Sequence, residues 1–335
     1  MKRMMVICLA VICISCTVYA KGNTESGGIS QQDSTAVETQ WKNGDKPPDF
    51  QGEGRMTGRG MMRGGGGAAP VNTSSSNVSS RSIIDDPADS IESVTFKRIV
   101  SVDVAKKTSN ADGKDVSVSF TDNDVEIISL LTEPVKILLS GSMKGTISIE
   151  KSDGPIAVVL NNLTVTAADG PALVSNSKQK TYIFLENETK NTLTDSKERD
   201  KNTKKGALYA KGALIFSGTG SLSVDASYKH GIYSDDYISI KGGTISVSVS
   251  ARDAIRCING FIMSDGNVSV TGTGSVIDEE SKGIKVDGAE DEKNAGEGFI
   301  VVSGGTITIN TAGKAMTASW EKEEDSQTET TADDP

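Results

Sequence analysis

One unit of sequence recurs along this chain, and it restricts the fold more than any other feature. Ile232, Ile238, Ile240, Gly243, Ile245 and Val247 mark the unit. Twenty-three residues on, Ile255, Phe261, Met263, Gly266, Val268 and Val270 take their places. Upstream the unit returns with one extra residue, as Leu208, Leu214, Phe216, Gly220, Leu222 and Val224. Downstream, after a ten-residue insertion between Ile284 and Ile300, Val302, Gly304-Gly305, Ile307 and Ile309 repeat it. Pro155 to Val165 holds a looser copy.

Within the units, apolar and hydroxylated residues alternate, as in Val116-Ser117-Val118-Ser119-Phe120, Ile147-Ser148-Ile149, Ile245-Ser246-Val247-Ser248-Val249 and Ile307-Thr308-Ile309. Successive side chains of a strand point to opposite faces, so Ile and Val share one face and Ser and Thr the other. So short a unit cannot bury its apolar face alone. Stacked copies can, with strands ~4.8 Å apart. Gly242-Gly243 and Gly304-Gly305 suit corners that need positive φ. The unit is too short for a four-stranded propeller blade. An antiparallel sandwich would explain the alternation but not the fixed period. The expected fold class is therefore all-β, a coil-by-coil parallel β-helix. Thirty-five glycines against eight prolines, with 4% aromatic residues, agree with a turn-rich β chain of few helices.

The rest of the chain divides by composition. Residues 1–20 have the layout of a signal peptide: Lys2 and Arg3, the apolar run Met4 to Ile14, then Val18-Tyr19-Ala20 before Lys21. Cys13-Ile14-Ser15-Cys16 is a rival lipobox with Cys16 as the lipidated residue. Either reading means export, to the medium or to a cell-surface or outer-membrane lipoprotein position. Residues 21–92, with Gly64 to Gly67 and a Ser/Thr run, read as a disordered linker. Residues 93–320 form the repeat domain. From Glu321 to Pro335 seven acids and one lysine make a disordered acidic tail. With Cys8, Cys13 and Cys16 in the leader, Cys257 has no intrachain partner and is expected to be a small buried hydrophobe.

The net charge of −10 disfavours a nucleic-acid partner and gives no general attraction for acidic polymers. Any acidic ligand needs local positive charge. The stretch Lys178 to Lys211 supplies one island, with nine basic and five acidic residues; a solvated loop is its plainest reading.

The ordered motifs carry a family likeness. Leu138-Leu139-Ser140-Gly141-Ser142-Met143-Lys144-Gly145-Thr146-Ile147 comes first. Val159-Leu160-Asn161-Asn162-Leu163-Thr164-Val165, Ile238-Ser239-Ile240-Lys241-Gly242-Gly243-Thr244-Ile245 and Ser303-Gly304-Gly305-Thr306-Ile307 follow. Over roughly residues 95–320 the chain resembles the bacterial carbohydrate-binding β-helix domains of the clostridial polygalacturonate- and cellulose-binding type. The resemblance implies a right-handed, single-stranded, pectate-lyase-like parallel β-helix, plant-wall polysaccharide ligands and calcium-binding turns. An Asp-Asp pair often precedes each coil's Gly-Ile in that family. Here those positions read Lys229-His230, Arg252-Asp253 and Ser281-Lys282.

Stacking the coils puts Lys229, His230, Arg252, Asp253 and Lys282 in one row, with Arg256 and Lys285 a step along. The expected carbohydrate contacts are Lys229, Tyr233, Arg252, Arg256, Lys282, Lys285 and Tyr209. Arg forks suit sugar carboxylates, and Tyr209 and Tyr233 fall at equivalent positions. Asp235, Asp236, Asp253 and Asp287 are the calcium candidates, with Asp278-Glu279-Glu280 and the acids up to Glu297 nearby. Trp320 is a further aromatic. The function expected is non-catalytic binding of an acidic or plant-wall polysaccharide by a monomer, with a lipid anchor as its link to the envelope. The alternatives are a pectate-type lyase, for which no acid cluster is visible, and an adhesin or spacer without glycan specificity.

Overall fold

The computed structural model describes residues 17–22, 86–198, 204–276, 279–288 and 298–318. Cys16, most of the expected linker, Asp278, residues 289–297, Trp320 and the acidic tail lie outside the described residues. The chain is all-β. Among the described residues its helical turns are two short 3-10 turns, Pro87–Asp89 and Ile91–Ser93.

The strands fall into two large sheets, A with 13 strands and B with nine. The chain visits them in turn. Gly206–Ala210 lies in B and Leu214–Gly218 in A; His230–Ser234 lies in B and Tyr237–Val249 in A. Each repeat thus lays one strand in B and one bent strand, or two short ones, in A. Pairing between successive repeats is parallel, as a sandwich of antiparallel strands would not give. The register follows the sequence alignment: Ile232 faces Ile255, Ile238 faces Phe261, Ile240 faces Met263, Ile245 faces Val268 and Val247 faces Val270.

This register turns the alternation into ladders. Leu208, Ile232, Ile255 and Ile284 stack in B, and Phe216, Ile240 and Met263 in A, all buried in one core. Each such side chain contributes about 1.5–3 kcal/mol when removed from water. Sheet A bends where a glycine row crosses it. One glycine of each pair carries the positive φ, Gly243 at 87° and Gly305 at 81°, in line with Gly266 at 95°. A Cβ on Gly266 would lie 2.8 Å from the Gly243 carbonyl oxygen, so the bend excludes side chains.

The two ends differ. At one end antiparallel hairpins form both sheet edges: Arg98–Asp103 with Thr108–Ser109, and Val116–Phe120 with Val125–Ser129. At the other, strand Thr17–Gly22 lies parallel to Thr306–Thr311, with Ala20 beside Ile309 and Lys21 beside Asn310. The expected cleavage point after Ala20 falls inside this strand.

One segment departs from the linker expectation. Residues 87–93 are packed against the outer face of sheet A, where Ile91 is buried with Ala157, Tyr182, Ile215, Tyr237 and Ile262. Here alternation fails because both faces of the sheet are covered. Lys180 Nζ lies 2.5 Å from Asp86 Oδ2 and 2.7 Å from Asp89 Oδ1. The Tyr237 hydroxyl donates to Asp89 at 2.6 Å, and that of Tyr182 to the Ala88 carbonyl. Cys257 is fully buried, and that burial pushes its thiol pKa far up, as an inert core residue requires.

Candidate functional site

Four of the seven expected sugar contacts share one rung position on the outer face of sheet B. The parallel register runs Val174, Tyr209, Tyr233, Arg256, Lys285, Thr317. Each follows an inward Leu, Ile or Met by one residue, so the period of two turns it outward.

The tyrosines stack, with ring centroids 6.0 Å apart and planes 12° from parallel. They are not an open platform. Tyr209 is 5% and Tyr233 3% exposed. Lys204 Nζ lies 4.9 Å from the Tyr209 centroid and Lys205 Nζ 5.5 Å from that of Tyr233. The His230 ring stacks on Tyr233 at 5.4 Å. The Tyr209 hydroxyl donates to Asp235. Burial pushes the Tyr233 phenol up to about 12. These two expected carbohydrate contacts therefore have covered rings.

Arg256 is the centre of a charged network reaching over three coils. Its Nε donates to Asp287 Oδ2 at 2.6 Å, one coil on. Its Nη1 lies 3.6 Å from Asp253 Oδ2 on its own coil and 3.4 Å from His230 Nε2 on the coil before. Lys285 Nζ sits 2.9 Å from the second Asp287 oxygen. A guanidinium only donates, so His230 Nε2 accepts and its proton sits on Nδ1, facing Asp253 Oδ2 at 3.6 Å. Burial, reinforced by Arg256, holds the His230 pKa well below 6.5, and the ring is neutral. Burial raises the Asp253 carboxyl, and Arg256 and Lys282 counter it. Burial opposes charge on Arg256, but Asp287 and Asp253 outweigh it and raise the guanidinium pKa.

The other three contacts lie on the edge where each coil enters sheet B. Arg252 N donates to the Lys229 carbonyl, His230 N to that of Lys205, Ala254 N to that of Lys282 and Gly283 N to that of Lys314. Adjacent coils thus bring one basic residue each to this edge. Lys205 and Lys314 are exposed, and Lys229, Arg252 and Lys282 half-buried. Lys229 Nζ lies 5.4 Å from the Tyr228 ring. Sequence reading missed Lys314 at this edge and placed Lys205 only in a loop. Aligning Gly313-Lys314-Ala315-Met316 with Ser281-Lys282-Gly283-Ile284 brings Lys314 into the row.

The four calcium candidates are engaged by protein partners. The ion takes six to eight oxygens. Asp235 accepts from Tyr209, and Asp236 from Asn259 Nδ2 at 2.7 Å. Asp253 and Asp287 flank the Arg256 guanidinium, and Asp253 Oδ1 also accepts from Lys282 N at 3.2 Å. Among the described residues no three His, Cys, Asp or Glu side chains converge as a metal would need.

Comparison with known proteins agrees with this architecture. Residues 121–332 match the model of a family described as carbohydrate-binding domain-containing protein. A curated protein of that description from Acetivibrio thermocellus is 26% identical over 145 residues, 41% of this chain and 49% of its own length. The chain therefore spans about half of that relative. A solved polysaccharide lyase-like protein from C. thermocellum, in its gadolinium derivative, is similar with a TM-score of 0.53 and 23% identity. That likeness, one of fold, covers 63% of this chain and 81% of the other. The family model takes in well over half of the sequence, and this chain belongs to the family of carbohydrate-binding domain-containing proteins.

Proposed function

We propose that this is an exported, non-catalytic carbohydrate-binding protein. Its body is a right-handed single-stranded parallel β-helix, and it takes an acidic polysaccharide along the basic edge of sheet B. The observation that carries the reading is the row Lys205, Lys229, Arg252, Lys282, Lys314, one basic side chain per coil. Coils recur every ~4.8 Å, so the row offers a regular series of cations to a polymer whose carboxylates also recur regularly. A row of this kind gives local attraction within an acidic chain, because charges beyond ~10 Å are screened at ordinary salt.

The non-catalytic part of the reading is supported by the Arg256 network. A lyase needs a base free to take the proton next to a uronate carboxylate. His230 is 1% exposed, and Arg256 and Lys285 are engaged by carboxylates. Export rests on the leader, either cleaved after Ala20 or lipidated at Cys16, and the body acts as a monomer.

The test is retention on polygalacturonate, cellulose and a neutral soluble glucan, with product absorbance followed in the same tubes. Retention on polygalacturonate that weakens with salt, without unsaturated product, is the expected result. Product formation would replace the binder by a lyase. Retention on none of the three would leave an adhesin or spacer.

A further inference from the structure

The resemblance noted in the sequence implies calcium at the coil turns, and the acids expected to hold it are spoken for. We propose that Arg256 and Lys285 are the resident cations of this turn row. They neutralise Asp253 and Asp287 across neighbouring coils, so the stack needs no divalent ion there. This concerns coil cohesion and stands whether or not the glycan reading does.

The geometry is that of a bridge. Asp253 and Asp287 belong to successive coils, and Arg256 lies between them, 2.6 Å from one carboxylate and 3.6 Å from the other. Lys285 closes on Asp287 from the same coil at 2.9 Å. Both acids are largely buried, with side-chain exposures of 7% and 14%. Buried carboxylates need a counter-charge, and two fixed cations supply it. A divalent ion brought to the same oxygens would lie beside a guanidinium and an ammonium, so its repulsion opposes entry. The amide N–H of Lys282 and the neutral His230 ring complete the surroundings, and neither offers a calcium ligand in its present role. His230 Nε2 is turned to the guanidinium.

The sequence carries the same exchange. His230, Asp253 and Lys282 stand at one repeat position, and Tyr233, Arg256 and Lys285 at another. Of the two coils where Asp253 and Asp287 are buried, the first thus brings a cation to the second row only, Arg256, and the next brings one to each row, Lys282 and Lys285.

Thermal unfolding of the full chain tests this, with EGTA and with ~1 mM calcium or magnesium. The wild type is expected to keep its midpoint within about 1 °C in all conditions. Arg256→Ala and Lys285→Ala are expected to unfold at lower temperature than the wild type. Calcium then raises the midpoint of Arg256→Ala, because removing the guanidinium vacates its place between the carboxylates. Magnesium, which keeps its waters, does so less. Should Arg256→Ala fail to fold, Arg256→Gln, which removes the charge and keeps most of the side chain, carries the same comparison. A wild type that calcium stabilises and EGTA destabilises would overturn the proposal. So would alanine variants as stable as the wild type, or a destabilised Arg256→Ala variant that calcium leaves unchanged.

Discussion

Lys180 Nζ lies 2.7 Å from Asp89 Oδ1, although 91 residues separate them. Asp89 is 2% exposed and also accepts the Tyr237 hydroxyl. This one carboxylate fastens residues 87–93 to the outer face of sheet A, over Tyr182, Ile215 and Ile262. Asp86, at the same lysine, is more open, and the Lys180 hydrogen bond lowers its pKa.

Asp89→Ala is therefore expected to cost about 2 kcal/mol, since it strands a buried hydroxyl and half of an ion pair. Asp86→Ala is expected to cost under about 1 kcal/mol, because water screens the more exposed partner. Urea unfolding measures both. Equal losses would mean that the buried Asp89 holds the segment no more firmly than the more open Asp86 does.

How much of this is legible in the sequence depends on the range of the contact. The rungs are legible because alternation and period are local; Ile232 and Ile255 align on the 23-residue spacing, and Ile284, 29 residues further on, aligns through the Gly283-Ile284 that matches Gly231-Ile232. The docking of residues 87–93 is not, since nothing near Asp89 names Lys180. Its trace lies elsewhere, in Val158-Val159-Leu160 and Leu214-Ile215-Phe216, where alternation stops because both sheet faces are buried. For the site, the row holding Tyr209, Tyr233, Arg256 and Lys285 follows from alignment. The covering of the tyrosines by Lys204, Lys205 and His230 does not, because side-chain packing outside the core leaves no periodic signal. The acids read as ion ligands because their spacing is visible, whereas the Arg256–Asp287 contact bridges an inter-coil turn.

The glycine row gives a graded prediction. Gly266→Ala places a methyl group against the Gly243 carbonyl at positive φ and is expected to cost about 2–3 kcal/mol. Gly113 has φ of 70° with nothing within 4 Å of a built Cβ. Its alanine variant is expected to cost only about 1 kcal/mol. Chemical denaturation of the pair compares them directly, and the reverse order would contradict the bend geometry.

His230 makes stability depend on pH with a definite sign. Its folded pKa lies well below 6.5, so above 6.5 neither state binds a proton. Below that value the unfolded chain gains one that the folded ring refuses, and stability falls by up to about 1.4 kcal/mol per pH unit. Asp253, whose carboxyl burial raises, works in the opposite direction. His230→Gln is expected to flatten the wild-type slope between about pH 6.5 and 5.5. An unchanged slope in the variant would mean that another group titrates there.

The strand Thr17–Gly22 predicts a difference between two starting points. A chain beginning at Thr17 keeps all six paired positions beside Thr306–Thr311, and one beginning at Lys21 keeps two. The shorter chain leaves that sheet edge open and is expected to unfold at lower temperature and to self-associate more. Identical midpoints and sedimentation for the two chains would show that this strand adds nothing to the body.

The central claim is that an acidic glycan follows the basic edge of sheet B. Its most direct test is titration of polygalacturonate into the wild type and into the triple variant Lys229→Ala/Arg252→Ala/Lys282→Ala, with matched thermal midpoints as a check on folding. The account predicts binding at least about tenfold weaker in the variant, a loss of about 1.4 kcal/mol, and a shallower dependence on salt. Equal affinity and equal salt dependence for the two proteins would contradict it.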